Sequence, residues 1–203
     1  MAQYSIDYEL EKEDGYDKII FTMESISTLF EQEALAAKLK EEIVKLADKY
    51  GGRVIVLDQQ NKIVSEGMSS TGLGSLIALN NKIKEKFNQE WLEIQQLIIS
   101  RGESFFMEGD YGLIVFWMPI CITGKTLGGL IGYGGFFDDA CREEEKREKQ
   151  ENLYYLLGLN QMKISWDEYM KAVEGIKFIK PDDLEQSVKR LAALLGALAT
   201  GGR

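Results

Sequence analysis

The triplet Gly124-Lys125-Thr126 is the stretch of this chain that most resembles a nucleotide-binding motif. A phosphate-binding loop follows the pattern GxxxxGK[ST], in which the first glycine lets backbone N–H groups surround the phosphates and a helix comes next. The corresponding first position is Pro119, which has no N–H and a fixed φ angle. The residues after Thr126, LGGLIGY, have the pattern of a strand. The sequence therefore favours a hairpin turn over a nucleotide site.

The glycine-rich segment GGLIGYGG lies directly behind this triplet. It lacks the spacing of a GxGxxG dinucleotide-binding finger that opens a helix. Glycines inside a strand indicate either close packing against a neighbouring group or space for a ligand. Both interpretations stay open at this point.

The chain contains no histidine and has two cysteines, Cys121 and Cys141. Histidine is the commonest general base and the commonest metal ligand, so Ser-His, Cys-His and HExxH sites are excluded. The cysteines are not spaced as CxxC, and we expect both to be reduced thiols, buried or half-buried, in a cytoplasmic protein. We expect no metal site and no cofactor.

The bulk composition limits the classes of partner. The 203 residues carry a formal net charge of −9, which argues against direct nucleic-acid binding because phosphate neutralisation needs a basic face. No apolar run approaches the ~18 residues that span a bilayer. The acidic N-terminus also lacks the basic and then apolar order of a signal peptide. We expect a cytoplasmic protein that contacts neither nucleic acid nor membrane.

The spacing of apolar residues predicts hairpins that alternate with helices. Residues 4–21 alternate in polarity and turn near residues 13–15, which predicts a first hairpin. A helix with apolar residues at every third or fourth position ends at Gly51-Gly52. A second hairpin is predicted over residues 54–65, and a second helix from about Leu76 to Arg101.

A third hairpin and three helices complete the chain. Strands are predicted over residues 113–122 and 127–133, with helices after residue 139. Ser165 and Glu168 have the spacing of a capping box, and the last helix begins near Pro181. Because the strands come in antiparallel pairs, we predict an α+β fold. It would have a central antiparallel sheet, helices on one face and a helical C-terminal extension.

Aromatic and methionine side chains are dense around the third hairpin. Most of them are expected in the core, where alternate residues of a strand point to opposite faces. Large apolar groups beside glycines can also frame a pocket for a small molecule, with a few polar groups to orient it. The candidate ligand-binding residues are Phe106, Asp110, Tyr111, Phe116, Trp117, Met118, Cys121 and Tyr133. We predict no catalytic residue.

The stretch from Asp110 to Leu198 resembles the PocR family of bacterial sensory domains. The resemblance lies in the helical tail from Val173 and in four shorter segments, GDYGL, IVFWMPI, TGK and LGGLIGYG. The helix and hairpin of residues 29–67 are also similar to the opening of the family's domain. The chain has Gly109-Asp110 where the family typically has Cys-His, and Gly132-Tyr133-Gly134 where it has Gly-Gly-Gln. A metal or redox centre on such thiols is therefore not expected.

The resemblance implies a PAS- or GAF-like domain with a cavity between sheet and helices for a small organic ligand. Such a domain signals to an output module or partner in bacterial transcription or signal transduction. Residues 1–203 would form one sensory domain, with an N-terminal strand extension (1–22), an α/β sensor core (23–137) and a helical C-terminal part (138–203). No enzymatic activity is implied, and the last helix is the expected homodimer element.

Two other functions compete with this interpretation. A ligand-free PAS-like dimerisation module would fill its cavity with large side chains and carry an apolar patch along Leu184, Leu191 and Leu198. An enzyme would use Asp110 and Tyr133 as acid–base groups and would need a carboxylate of raised pKa in a cleft.

Overall fold

The computed structural model describes residues 8–13, 16–21, 26–101, 103–122, 124–138 and 142–199. Strands β1 (Tyr8–Glu13) and β2 (Tyr16–Phe21) form an antiparallel hairpin, as predicted, and this hairpin is a two-stranded sheet of its own. Its strands are therefore not members of the central sheet.

The central sheet has five antiparallel strands. They are β3 (Arg53–Asp58), β4 (Ile63–Met68), β5 (Phe105–Glu108), β6 (Ile114–Ile122) and β7 (Lys125–Tyr133). Their spatial order is β4-β3-β7-β6-β5, so the second and third predicted hairpins are confirmed and meet where β3 pairs with β7. Pro119 pairs with Gly129 of β7 on one side of β6. On the other side the pairing with β5 ends at Trp117, so the missing N–H of Pro119 is tolerated there.

Seven helices lie within the described residues. They are α1 (Ile26–Glu31), α2 (Glu33–Tyr50), α3 (Leu73–Ala78), α4 (Asn81–Arg101), α5 (Glu143–Leu156), α6 (Trp166–Val173) and α7 (Pro181–Ala199). Helix α2 ends at Gly51, whose φ of 69° is the left-handed conformation expected of a helix stop. The Ser165–Glu168 capping box of α6 and the start of α7 at Pro181 are confirmed.

Two helical predictions need correction. The helix predicted to begin near Leu76 is divided into α3 and α4, because the Asn80 side chain accepts the N–H of Lys82 at 2.8 Å and so starts a new helix. Helix α1 was not predicted, since its six residues are too few for a periodic pattern.

Helices cover both faces of the sheet, and not one face as the sequence predicted. On the first face, α1, α2 and α7 form a core with alternate residues of β6, including Phe116 and Ile120. On the second face, α3, α4, α5 and α6 form a core with the intervening residues, including Val115 and Trp117. The fold is therefore α+β with three layers.

The C-terminal helix α7 is part of the first core. Leu184, Val188 and Leu195 have no exposed surface and pack with residues of β6 and β7. The short strand β8 (Phe136–Phe137) follows β7, and β9 (Phe178–Ile179) precedes α7. The two strands pair in parallel and so hold the start of α7 next to the end of β7. The predicted patch along Leu184 and Leu191 is thus covered by the sheet.

Candidate functional site

Glu90 is a titratable residue on the inner face of α4. It follows Ile83 and Phe87 and precedes Ile94 at helical spacing, so it faces the second core with them. The side chain is only 5% exposed. Asp58, the other buried carboxylate of the described residues, stabilises the β3–β4 turn by accepting the N–H groups of Gln60 and Lys62. Glu90 has no such role in a turn.

Both carboxylate oxygens of Glu90 accept hydrogen bonds. Oε1 accepts the backbone N–H of Asp110 at 2.9 Å, and Oε2 accepts the hydroxyl of Tyr133. Gly109 makes the first contact possible, because a Cβ atom there would lie 2.5 Å from Oε1. Glu90 therefore joins α4 to the β5–β6 loop and to the end of β7.

The environment of Glu90 favours its protonated form. Burial raises the pKa of Glu90 to about 7, although the hydrogen bonds from Tyr133 and Asp110 act in the opposite direction. Burial and then the charge of Glu90 also raise the pKa of Tyr133. At neutral pH, Glu90 thus lies close to the midpoint of its titration, next to a tyrosine that keeps its proton.

Phe87 connects this buried pair to the protein surface. Its ring contacts Tyr133 edge-on, with ring centroids 5.3 Å apart, and contacts Tyr111 in the same manner at 5.5 Å. Tyr111 is half-buried in the β5–β6 loop, next to Asp110. A displacement of Tyr111 would therefore act directly on α4 through Phe87.

An open groove of about 580 Å³ lies on the outer side of Tyr111, between the β5–β6 loop and α5. We refer to it as the α5 groove. Its lining residues are Glu108, Tyr111, Gly112, Phe136, Glu145, Glu148, Lys149, Asn152, Tyr155 and Leu156. The volume falls within the range of small-molecule sites.

The space between the sheet and α4 is much smaller. One cavity beside Tyr133, lined also by Phe87, Trp91 and Arg53, has a volume of about 30 Å³. That volume accommodates about one or two water molecules. The α5 groove thus has the volume of a small-molecule site, whereas this interior cavity is too small for an organic ligand.

Residues 36–203 match the family described as "Sensory domain found in PocR". The chain belongs to this family. No curated protein matches it. A solved nucleotide-free structure of acetone carboxylase is similar at 13% identity over 87% of this chain and 29% of the carboxylase chain, with a TM-score of 0.34. The chain thus spans less than a third of that protein, and a TM-score this low supports no inference about fold or activity.

The candidate residues of this PocR domain are divided between the two faces of its sheet. Phe106, Phe116 and Met118 lie in or against the first core, with α2 and α7. Trp117, Tyr133 and Tyr111 belong to the second core or pack against it, and the Asp110 backbone joins them through Glu90. Only the second group lies near the α5 groove, and Tyr111 is the predicted residue that lines it.

The glycines of β7 accommodate aromatic rings from β6. A Cβ atom on Gly129 would lie 1.9 Å from the ring of Trp117, and one on Gly132 would lie 2.0 Å from the ring of Phe116. Of the two interpretations of this glycine-rich strand, close packing is the one the structure supports. Gly124-Lys125-Thr126 opens β7 as the hairpin prediction required, with Gly124 at a φ of 83°.

Cys121 is exposed, which corrects the expectation of a buried or half-buried thiol. It lies near the β6–β7 turn, where its sulfur is 3.4 Å from the hydroxyl of Thr126. Cys141 lies outside the described residues.

Glu90 and Phe87 were missed by the sequence analysis as functional candidates. The signal was a carboxylate at a core position of the α4 stripe, between Phe87 and Ile94. Trp91, the next residue of α4, is only half-buried. Across the ranges given above, no group of three or more Cys, Asp or Glu side chains could hold a metal ion. No described helix has the length and hydropathy to cross a membrane.

Proposed function

We propose that this PocR domain is a small-molecule sensor whose organic ligand binds in the α5 groove, against Tyr111. The observation that carries the proposal is the position of Tyr111, which lines the groove and also contacts Phe87 of α4. A ligand in the groove would therefore touch a residue that is coupled to the buried Glu90–Tyr133 pair. Sensing requires such a connection between an accessible site and a movable element.

The transmitted signal is a change in how α4 is held on the sheet. Ligand contact with Tyr111 shifts its ring against Phe87, one helical turn before Glu90. The Asp110 N–H that Glu90 accepts is adjacent to Tyr111, so the same shift changes this hydrogen bond. We infer that α4 passes the change to an output module or partner in bacterial transcription or signal transduction, in the cytoplasm and without direct contact to nucleic acid.

Of the residues predicted from sequence, the proposal assigns ligand contact to Tyr111. Asp110 and Tyr133 support it through their hydrogen bonds to Glu90. Phe106, Phe116, Trp117 and Met118 serve as core, and Cys121 lies at the opposite end of β6.

We propose a binding role and no enzymatic one. A general base needs a free lone pair directed at the substrate. Each oxygen of Glu90 accepts one protein donor, and its remaining lone pairs are out of reach of a substrate because the side chain is only 5% exposed, behind Tyr111 and Phe87. The pair is better suited to hold two structural elements together than to exchange protons with a substrate.

The expected homodimer through α7 has less structural support. The stripe that suggested it faces the sheet, with Leu184 0% and Leu191 7% exposed. The outer side of α7 offers Leu194, which is 40% exposed. A dimer through this helix would therefore use Leu194 and its polar neighbours, and not the buried leucines.

A thermal-shift screen of small alcohols, diols, short acids, amines and aromatic compounds tests the sensor function. A compound at one hundred times its Kd should stabilise the domain by ~2.7 kcal/mol, which raises Tm by about 5–10 °C for a chain of this length. The Tyr111→Ala variant should lose most of the shift. Cys121→Ser, a substitution at the far end of β6, is the matched control and should keep it.

Two results would contradict the proposal. One is a screen in which no compound raises Tm at millimolar concentration. The other is a compound whose stabilising effect is the same in Tyr111→Ala and in the wild-type protein, since that compound would bind elsewhere.

A further inference from the structure

Charged groups around the α5 groove have one predominant sign. Glu108, Glu145 and Glu148 line it, against one cation, Lys149. The Lys149 ammonium is held in place, 2.7 Å from Oε1 of Glu108 and 3.2 Å from the carbonyl oxygen of Phe137. Glu145 belongs to the capping box of α5, where Oε2 accepts the backbone N–H of Arg142 at 2.8 Å and Oε1 pairs with the Arg142 guanidinium at 3.2 Å. Glu108 and Glu145 are thus each paired with a cation, which leaves Glu148 as the main source of negative charge in the groove. Glu148 is exposed on the same side of the helix.

More carboxylates lie behind the inner wall of the groove. Burial, and then the negative charges of Glu90, Asp110 and Glu93, raise the pKa of Tyr111. Asp110 and Glu93 thus add negative charge on the inner side of Tyr111, and Glu90 adds to it when it is ionised. A carboxylate or phosphate ligand would be repelled there, whereas a cation would be attracted.

Aromatic groups supply the remaining surface. Tyr111 and Tyr155 present ring surface to the groove, and Tyr155 is 66% exposed, whereas Phe136 borders the groove without exposed surface of its own. Phe136 is held by a stacking contact with Phe178, with ring centroids 5.0 Å apart. Aromatic rings attract ammonium groups through their quadrupole, and an ammonium group that carries alkyl substituents also gains from apolar contact.

The sign of the charge is particular to this groove. A second groove of about 620 Å³ lies on the other side of α5, with Lys146, Arg147 and one carboxylate, Glu143, among its lining residues. The same helix thus presents mainly carboxylates to one groove and cations to the other. The negative potential of the α5 groove is therefore more than the general effect of the net charge of −9.

We propose that the ligand of the α5 groove is an organic cation, a small amine or quaternary ammonium compound with apolar substituents. This inference rests on the sensor function proposed above. The ammonium group lies between Glu148 and the aromatic side chains, and the apolar part of the ligand contacts Tyr111. Water-solvated inorganic cations are poor ligands for such a surface, because they gain nothing from the aromatic and apolar walls.

Three probes of similar shape and different charge test the inference by isothermal titration in 150 mM NaCl. They are choline, its neutral isostere 3,3-dimethylbutan-1-ol, and the anion 3,3-dimethylbutanoate. We expect choline to bind at least ~tenfold more tightly than the alcohol, in line with one cation–π and charge interaction, and the anion to show no binding. Glu148→Gln should weaken choline binding ~threefold to tenfold and leave the alcohol unchanged.

The control variant is Glu41→Gln, which removes one exposed carboxylate from α2, on the opposite face of the sheet from α5. It should bind choline as the wild-type protein does, because screening at this ionic strength limits charge effects to about 8 Å. Tyr155→Leu keeps the apolar contact and removes the ring, and it should weaken choline binding but not binding of the alcohol.

Failure of this inference can be distinguished from failure of the sensor function. If the alcohol or the anion binds as tightly as choline, or if choline does not bind, the ligand is not an organic cation. Equal loss of choline affinity in Glu148→Gln and Glu41→Gln would overturn the inference as well, since it would mean general charge attraction. The sensor function itself fails only if the wider screen finds no ligand that depends on Tyr111.

Discussion

Tyr133 of β7 donates its hydroxyl hydrogen bond to Glu90 of α4, so a tyrosine at the end of the sheet satisfies a carboxylate buried within a helix-packing layer. The Asp110 N–H completes the site from the β5–β6 loop. A helix, a strand and a loop thus meet at one titratable group. The protonation state of Glu90 therefore influences how these three elements are held together.

The first prediction concerns the pH dependence of stability. The folded protein keeps the Glu90 proton up to about pH 7, whereas the unfolded chain loses it near pH 4.5. This contribution to stability is fully present below pH 4.5 and is lost as the pH rises through about 7. Between pH 5 and pH 8 the loss should be about 2 kcal/mol. Denaturant unfolding of wild-type protein and Glu90→Gln at both pH values measures it.

Glu90→Gln should remove this part of the pH dependence, because an amide does not titrate. Glu85→Gln, an exposed substitution on the same helix, should leave it unchanged. If wild-type protein and Glu90→Gln lose stability in parallel between pH 5 and pH 8, the Glu90 pKa is not raised and the prediction is wrong.

The second prediction concerns Tyr133→Phe, which removes one of the two donors to Glu90. The hydrogen bond from Tyr133 favours ionised Glu90, so its loss should cost more at a pH where Glu90 is charged. We expect about 1 kcal/mol of destabilisation at pH 5 and about 2 kcal/mol at pH 8. Combined with Glu90→Gln, the additional effect of pH should disappear. A cost that is the same at both pH values would mean that Tyr133 contributes packing alone.

The hairpins and helix ends could be predicted from the sequence because they depend on local interactions. Gly51 can adopt the left-handed conformation that stops α2, and Ser165 and Glu168 satisfy each other's backbone groups within four residues. Because side chains of a strand alternate between its two faces, the sequence of β6 correctly places Phe116 and Trp117 on opposite faces of the sheet. What the period does not determine is which helices cover each face.

The layer arrangement and the site depend on contacts between distant parts of the chain. Helix α7 looks like an extension in sequence, since its apolar stripe suits a partner helix as well as a sheet. Glu90 was not singled out in the sequence, because its two donors lie 20 and 43 residues away. A carboxylate at a core position of a helical stripe is the sequence signal that deserved a site prediction.

The third prediction contrasts two adjacent leucines of α7. Leu195 is fully buried against the sheet, whereas Leu194 is 40% exposed. Leu195→Ala should destabilise the monomer by about 2–5 kcal/mol through lost burial and the cavity it leaves. Leu194→Ala should stay within about 0.5 kcal/mol. Denaturant unfolding measures both changes in the free energy of unfolding. Light scattering of the two variants shows whether either substitution changes the mass in solution. Similar destabilisation by the two substitutions would argue against the packing of α7 described here.

The fourth prediction concerns the glycine under the Trp117 ring. In Gly129→Ala the new methyl group would lie 1.9 Å from the indole, on the strand that joins β3 to β6. Neither the β6 nor the β7 backbone can move away without disturbing the hydrogen bonds between these strands. We therefore expect Gly129→Ala to be destabilised by about 2–3 kcal/mol. Thr126→Ala, an exposed substitution on the same strand, serves as the control and should have little effect.

Trp117→Leu should rescue Gly129→Ala in part, since the shorter side chain leaves room for the methyl group. A double-mutant cycle of denaturant unfolding should then give a favourable coupling free energy of about 1–2 kcal/mol. Additive effects of the two substitutions would show that the ring does not require the glycine. In that case the glycine-rich strand would have to be explained by its backbone conformation, and the space beside Trp117 would again become a candidate for ligand binding.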